Sequence, residues 1–183
     1  MFRAFKMTDT FMYFAYGSNL LKKRLLLQNP SAVEVSTAKL RDYKLDFNGG
    51  QDGTWRGAGA TIVKSPGDCV WGMVWMLHNS HKATLDDQEG VEAKIYEPIH
   101  IEVTSPEGEV FSCRSYHQIR PASADQRPSP QYKGVIIKGA KEIGLPADYL
   151  EFLAKIEDNG FRDIQVSTSK PRLFSSSIIM VIF

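Results

Sequence analysis

The alternation of apolar and polar residues predicts β-strands over much of the chain. In the segment AVEVSTAKLRDYKLDF, Val33 and Val35, and then Tyr43, Leu45 and Phe47, are each separated by a polar residue. A two-residue period is typical of strands with one face buried and one face in solvent. We therefore expect half-buried strand structure on both sides of the polar centre of this segment.

Turn signals between apolar runs predict two hairpins. One turn signal is Ser-Pro-Gly-Asp at residues 65–68, and the other is Pro-Glu-Gly at residues 106–108. The glycine-dense segment 48–60 predicts a loop, as do the proline and serine residues of segment 121–130. The polar segment 78–90 is expected to contain a short helix.

Helical patterns occupy the end of the chain and one position near its start. A helix is predicted from residue 19 to residue 28, where Asn29-Pro30 stops it. A second runs through PQYKGVIIKGAKEIG to Gly144, and a third starts with Pro146 in its first turn. Strands in the first two thirds and helices in the last third indicate an α+β fold, with a closed or strongly curved sheet and helices packed outside it.

Composition and charge narrow the class of protein. The 183 residues favour one domain, and a formal net charge of +1 gives no overall attraction to nucleic acid or to a membrane surface. Cys69 and Cys113 are too few for a disulfide framework, and we interpret both as small core residues from a reducing compartment. The basic run Lys22-Lys23-Arg24 is interpreted as the solvated face of a helix. No cysteine or histidine spacing predicts a metal site.

The stretch YFAYGSNL (residues 13–20) predicts a strand that breaks at Gly17 and enters a helix. Backbone N–H groups at such a helix start have no partner within the helix, so they suit a carboxylate or a developing oxyanion. Gly17 would let a ligand approach the backbone closely. The alternative is that Ser18 or Asn19 simply caps the helix. The stretch does not match the P-loop or the dinucleotide-binding pattern.

The acidic segment LDDQEGVEAKIY holds Asp86, Asp87, Glu89 and Glu92. Such a run is usually the solvated start of a helix. Glu89, however, directly precedes Gly90-Val91, where the polar run gives way to the next strand. A carboxyl group that points inward there would have a raised pKa, in a useful range for proton transfer.

Five motifs in order give a resemblance to a known family. YFAYGSNL, NPSA, LDDQEGV, CRSY and SPQYK together resemble the γ-glutamylcyclotransferases, over roughly residues 11–156. The resemblance implies a small mixed β-barrel with flanking helices. It also implies a cytosolic enzyme that converts γ-glutamyl amino acids to 5-oxoproline and the free amino acid.

The resemblance further implies roles for individual residues. Glu89 is implied to be the catalytic acid and base, with no cofactor and no metal. The implied substrate-binding residues are Tyr13, Phe14, Ala15, Tyr16, Gly17, Ser18, Asn19, Tyr96, Tyr116 and Tyr132. For the last three tyrosines, core packing with a hydrogen-bonded hydroxyl is the alternative from the residues alone. The expected partner is a small γ-glutamyl substrate, and a homodimer is suggested by the resemblance only.

The ends of the chain depart from the matched region. We expect a domain at residues 11–158, an N-terminal extension at 1–10, and a loose C-terminal tail at 159–183 that ends in the apolar SSSIIMVIF. The alternatives for function are a γ-glutamylamine cyclotransferase, a glutathione-specific cyclotransferase, and a non-catalytic binding module on the same fold. The presence of Glu89 in its motif argues against the binding module.

Overall fold

The computed structural model describes residues 9–49 and 55–162, in which five strands form a closed barrel with helices around it. The strands are β1 Thr10–Ala15, β2 Val33–Asn48, β3 Gly59–His78, β4 Tyr96–Thr104 and β5 Val110–Gln118. The helices are α1 Lys22–Gln28, α2 Lys82–Gln88, α3 Pro130–Glu142 and α4 Ala147–Lys155, with short 3₁₀ turns at Ser18–Leu20 and Asn79–His81. The predicted α+β barrel with flanking helices is confirmed.

The barrel closes in the order β1–β3–β2–β4–β5. Neighbouring strands are antiparallel except for β1 and β5, which are parallel and place Tyr13 opposite Arg114. Closure therefore brings the last strand against the first. The strand that leads into the Gly-Ser-Asn turn thus lies beside the CRSY motif, although about a hundred positions separate Tyr13 from Arg114 in sequence.

The hairpin predicted at residues 65–68 is wrong. Residues on both sides of this segment pair with the same strand, since Lys64 lies opposite Tyr43 and Cys69 lies opposite Arg41. The extra residues form a bulge in β3, where Gly67 (φ 88°) donates its N–H to the Asp42 carboxylate at 2.9 Å. The residues at 65–68 do form a local irregularity, as their types predict, but it is a bulge within one long strand and not a chain reversal. The hairpin predicted at residues 106–108 is confirmed by the antiparallel pairing of β4 with β5.

The predicted burial of the apolar residues in β2 is right at one end and wrong at the other. Leu45 and Phe47 are buried, whereas Val33 is 53% exposed and Val35 is 38% exposed. The register of β2 against β3 shifts between Glu34 and Ser36. This irregularity interrupts the two-residue alternation, so the two valines face solvent.

The two cysteines have different environments. Cys113 on β5 is fully buried, as expected, but Cys69 is exposed directly after the β3 bulge, so the prediction of a core position for Cys69 is wrong. Both are free thiols.

The helices of the last third begin and end close to the predicted residues. Ser129 caps α3 by accepting a hydrogen bond from the Tyr132 N–H, and Gly144 follows the helix with φ 70°, as predicted. Pro146 precedes α4 instead of lying in its first turn. Helix α3 packs on the 3₁₀ turn at Ser18–Leu20, so it supports the segment that follows β1.

Within the described residues, no helix is long and apolar enough to span a bilayer. The SSSIIMVIF end lies outside the described residues. The domain limits stay a prediction.

Candidate active site

The strand-to-helix turn has two helical pieces where the sequence predicted one helix. The 3₁₀ turn Ser18–Leu20 is followed by Leu21 in an extended conformation (φ −77°, ψ 106°), and α1 begins only at Lys22. The predicted start of the helix at Asn19 is therefore wrong, while its end at Gln28 is confirmed. The extended residue separates the turn from α1, so the turn is positioned by its own contacts.

Neither Ser18 nor Asn19 caps a helix. The Ser18 hydroxyl accepts a hydrogen bond from Arg24 Nε at 3.0 Å, and the buried Asn19 side chain points toward Glu89. The backbone N–H groups of residues 17–19 make no hydrogen bond with any part of the chain that the structure describes. The capping alternative is thus wrong, and three unpaired donors stay available at the turn.

A side chain at Gly17 would be crowded. A Cβ atom on Gly17 would lie 3.2 Å from Ala60 Cβ and 3.4 Å from the Tyr132 hydroxyl. Both neighbours line the same cavity as Gly17. The missing side chain therefore keeps the cavity open beside the unpaired amides.

Glu89 is placed by the end of α2. The sequence pattern suggested that the acidic run starts a helix, but the run lies at the end of α2. Gly90 follows in the left-handed region (φ 68°), and Val91 N–H closes the helix end on the Asp86 carbonyl at 3.0 Å. A glycine after the helix allows this reversal without steric cost. The chain turns away, and the Glu89 side chain enters the cavity.

A series of side-chain amides holds one oxygen of Glu89. Asn19 Nδ2 donates to Glu89 Oε1 at 2.9 Å, and the Tyr13 hydroxyl lies 3.4 Å from the same oxygen. Gln88 in turn donates to Asn19 Oδ1, and Asn29 donates to Gln88 Oε1, each at 2.9 Å. Among the described residues nothing is hydrogen-bonded to Glu89 Oε2, so that oxygen is left for another group.

The environment of Glu89 favours its neutral form. Burial raises the pKa of Glu89 from 4.5 to about 7, and the negative charge of Asp86 adds to this effect. The positive charge of Arg24 and the hydrogen bond from Tyr13 oppose it. A carboxyl group with this pKa exchanges a proton near neutral pH, as a general acid and base must.

Glu89 lies in a small cavity walled by tyrosines. The cavity has a volume of about 30 Å³. Its lining residues are Tyr13, Tyr16, Gly17, Ser18, Asn19, Ala60, Glu89, Tyr96, Tyr116 and Tyr132. Burial raises the pKa of Tyr13, Tyr16, Tyr96 and Tyr132, so these hydroxyls stay protonated and can donate hydrogen bonds.

Two of these tyrosines hold the backbone of Ala60. The Tyr132 hydroxyl accepts a hydrogen bond from the Ala60 N–H at 3.0 Å, and the Tyr96 hydroxyl donates to the Ala60 carbonyl at 2.7 Å. The Tyr132 hydroxyl therefore keeps its own proton for a further acceptor.

Tyr116 belongs to a polar cluster beside the cavity. Its hydroxyl donates to Asp86, and Arg114 forms a bidentate ion pair with the same carboxylate at 2.7 and 2.8 Å. The Tyr116 ring packs edge-on against Tyr13, with ring centres 5.9 Å apart. This cluster fixes the end of α2 against β5, and so it orients Glu89 indirectly.

The structure brings most of the sequence-predicted residues together. Phe14 and Ala15 are the exceptions, since both side chains are fully buried in the core and neither lines the cavity. Substrate binding by all of these residues, including Phe14 and Ala15, stays a prediction.

Sequence reasoning missed Arg24 and Ala60. Arg24 was assigned to a solvated helix face, yet it is only partly exposed and is bonded to Ser18. It follows the buried Leu21 by three residues, and that helical spacing could have indicated an inward face. Ala60 contributes its backbone, which no side-chain pattern marks.

A second depression is larger and more open. It has a volume of about 660 Å³ and lies between the end of β2, the start of β3 and the end of β5. Its walls include Tyr43, Asp46, Lys64, His117 and Arg120. Across residues 9–49 and 55–162, no group of three or more metal-binding side chains is present in this depression or elsewhere.

In sequence and in overall fold, the chain is similar to a known class of protein. Residues 69–153 match the model of the AIG2-like family. The chain is 50% identical over 157 residues to a γ-glutamylcyclotransferase from Bos taurus, which covers 84% of this chain and 82% of that protein. It is 49% identical over 156 residues to a γ-glutamylcyclotransferase from Homo sapiens, with the same coverage.

A solved structure agrees with these relatives. The structure of a γ-glutamyl cyclotransferase superposes on this one with a TM-score of 0.81, at 45% identity, and covers 95% of this chain and 98% of that one. This chain belongs to the γ-glutamylcyclotransferase family.

Proposed function

We propose that this protein is a γ-glutamylcyclotransferase that converts γ-glutamyl amino acids to 5-oxoproline and the free amino acid. The observation that carries this proposal is the position of Glu89. Its carboxyl group, with a pKa of about 7, lies in the same cavity as a turn with three unpaired backbone N–H groups. Relatives with about half of their residues identical bear the name of this activity.

The substrate carries its own nucleophile in this reaction. The α-amine of the γ-glutamyl group attacks the γ-carbonyl carbon and closes a five-membered ring. The first task of the protein is therefore to hold the substrate folded back on itself, and orientation of this kind can contribute roughly 7 kcal/mol. The turn at residues 17–19 provides donors for the carboxylate of the glutamyl group.

Glu89 moves the proton that the ring closure releases. Its free oxygen Oε2 takes a proton from the α-amine as the new C–N bond forms. The same carboxyl group then gives that proton to the nitrogen of the leaving amino acid as the old C–N bond breaks. Asn19 and Tyr13 hold Oε1 throughout, so only one oxygen faces the reacting atoms.

The negative charge on the former carbonyl oxygen needs a donor. The unpaired N–H groups of the turn and the Tyr132 hydroxyl are suited to this role, because residues 17–19 and Tyr132 all line the cavity. Loss of one such donor typically costs about 3 kcal/mol of transition-state stabilisation.

The cavity is smaller than the γ-glutamyl group that we propose it binds. A volume of about 30 Å³ has room for only one or two water molecules. A γ-glutamyl group is larger, so we infer that side chains at the cavity shift when it binds, which is common at binding sites.

The direct test is release of 5-oxoproline from a panel of three compounds: γ-glutamyl-alanine, glutathione, and an ε-(γ-glutamyl)-lysine compound. We expect the fastest turnover with γ-glutamyl-alanine. Preferred turnover of either of the other compounds would assign the chain to the corresponding alternative, and no release from any compound would contradict an enzymatic function.

We also propose that the enzyme works in the cytosol. Both cysteines are free thiols, and Cys69 is exposed. An exposed free thiol is typical of reducing compartments.

A further inference from the structure

Arg24 differs from the other arginine beside the site in having no carboxylate partner. Arg114 is paired with Asp86 through two short hydrogen bonds. The Arg24 side chain makes one hydrogen bond with the described residues, to the neutral Ser18 hydroxyl, and it has no ion pair with any of them. A partly buried cation with only a neutral partner is costly, so such a group usually has an anionic partner in the functional state.

The guanidinium group is held in place by its surroundings. It lies over the Trp55 ring, 5.1 Å from the ring centre, and Nε is bonded to Ser18. Trp55 in turn packs against Tyr132, with ring centres 4.9 Å apart. The terminal nitrogens of Arg24 remain as donors for a ligand, in the planar geometry that suits a carboxylate.

Arg24 lies just outside the closed part of the cavity. It does not line the cavity, but it is hydrogen-bonded to Ser18, which does. Its charge is close enough to Glu89 to lower the pKa of that carboxyl group. One substrate molecule could therefore place its reacting atoms beside Glu89 and bind Arg24 with another of its groups.

The charges of the substrate leave one group without a partner in the proposed mechanism. A γ-glutamyl amino acid has an α-amine, a carboxylate on the glutamyl part, and a second carboxylate on the amino acid that leaves. Glu89 serves the amine, and the turn amides serve the glutamyl carboxylate. The second carboxylate is attached to the atom next to the leaving nitrogen, so it extends outward from the reacting carbonyl.

We propose that Arg24 binds the carboxylate of the leaving amino acid, and that it thereby selects γ-glutamyl amino acids over γ-glutamyl amines. This proposal rests on the proposed function and adds a residue that determines specificity. A γ-glutamyl amine has no second carboxylate, so its turnover gains nothing from Arg24.

Two substrates that differ only in this charge test the proposal. γ-Glutamyl-alanine carries the second carboxylate, and γ-glutamyl-alaninamide replaces it with a neutral amide of nearly the same shape. For Arg24→Gln we expect kcat/KM for γ-glutamyl-alanine to fall about 10- to 100-fold, as for loss of a charged hydrogen bond, and kcat/KM for the amide to change less than about threefold. The ratio of the two values is measured on one sample, so it does not depend on how much of the variant is folded.

Two further variants make the comparison specific. Lys23→Gln removes an exposed positive charge from the same helix and should leave the ratio unchanged. Arg24→Lys keeps the charge, so it should retain more of the preference than Arg24→Gln. The wild-type protein could turn over γ-glutamyl-alaninamide too slowly to measure. In that case, the amide is tested as an inhibitor of γ-glutamyl-alanine turnover, and its inhibition constant is compared between the wild type and the variants.

The failures of the two proposals are distinguishable. An equal loss for both compounds in Arg24→Gln would show that Arg24 serves the glutamyl part or the fold, and it would overturn this inference while leaving the cyclotransferase function intact. An unchanged ratio with unchanged rates would overturn it as well. Absence of 5-oxoproline from both compounds in the wild-type protein would instead contradict the proposed function.

Discussion

Two depressions in the described part of the chain differ in size and in the groups that they hold, since the smaller one holds the candidate catalytic groups. The open one has a volume of about 660 Å³ and is walled by strand ends and surface side chains, among them Lys64, His117 and Arg120. The smaller one, called the closed cavity below because most of its lining side chains are buried, has about 30 Å³, but it holds Glu89, five tyrosines and the unpaired amides of the turn. Groups that are withdrawn from water have altered proton affinity and strong hydrogen bonds, so the small cavity is where catalysis is expected.

The largest effect should come from removing the proton carrier of the closed cavity. Glu89→Gln keeps the shape of the side chain but cannot take a proton, so we expect kcat for 5-oxoproline formation to fall about 10²- to 10⁴-fold. Glu92→Gln is the matched control, since Glu92 is an exposed carboxylate three residues further on. Near wild-type rates in the purified Glu89→Gln variant would remove Glu89 from the mechanism.

A side chain at Gly17 should fill the closed cavity. A Cβ atom alone already comes within 3.4 Å of the Tyr132 hydroxyl, so Gly17→Val should raise KM for γ-glutamyl-alanine at least about tenfold. In Gly134→Val the new side chain meets open space on α3, and KM should stay unchanged. An unaltered KM in Gly17→Val would show that substrate does not bind beside the turn.

Removal of one hydroxyl from each depression compares them directly. Tyr132→Phe deletes the acceptor of the Ala60 N–H and a donor toward the cavity, so kcat should fall about tenfold or more. Tyr43→Phe deletes a hydroxyl in the wall of the open depression and should have no effect on kcat. If the two variants lose activity equally, the assignment of catalysis to the closed cavity is wrong.

The pKa of Glu89 should also be visible in stability. The unfolded chain loses this proton near pH 4.5 and the folded chain near pH 7, so between these values the folded state binds more protons. The free energy of unfolding therefore falls as pH rises through this range. Glu89→Gln removes that loss, and its Tm should exceed that of the wild type by about 2 °C or more at pH 8.

At pH 4 the carboxyl group is protonated in both states, so the advantage of the variant should disappear. Thermal melts of both proteins at the two pH values measure this difference. A constant Tm difference across the range would mean that Glu89 titrates normally.

The smallest effect is expected for the charges of the open depression. Lys64→Gln and His117→Gln should leave kcat/KM for γ-glutamyl-alanine within about twofold of the wild type, because neither residue contacts the closed cavity. A large loss in either variant would indicate that substrate also occupies the open depression.

The parts of the site that the sequence predicted are those with a local signal. Gly17 lies where a strand pattern gives way to a helix pattern, and Glu89 lies where a helix pattern gives way to a strand pattern. Functional residues often lie at such breaks in regular structure. The sequence predicted a hairpin at residues 65–68, where the structure has a bulge, because the same residue types occur in hairpin turns and in bulges. Only pairing with a common partner strand decides between the two.

The parts that were missed depend on long-range packing. Arg24 belongs to a run of three basic residues, and Lys22 and Lys23 are exposed as that pattern suggests. Arg24 differs from these two lysines in its contacts with Trp55 and Ser18, which the sequence pattern does not show. The backbone of Ala60 likewise joins the site through Tyr132, which is 72 positions away in sequence.

The pH dependence of kcat/KM for 5-oxoproline release from γ-glutamyl-alanine tests the central claim most directly. If Glu89 accepts the proton of the α-amine, kcat/KM of the wild type rises with pH through an apparent pKa of about 7, and the residual activity of Glu89→Gln lacks this step. A step near pH 4.5, or the same step near pH 7 in both proteins, would contradict the account.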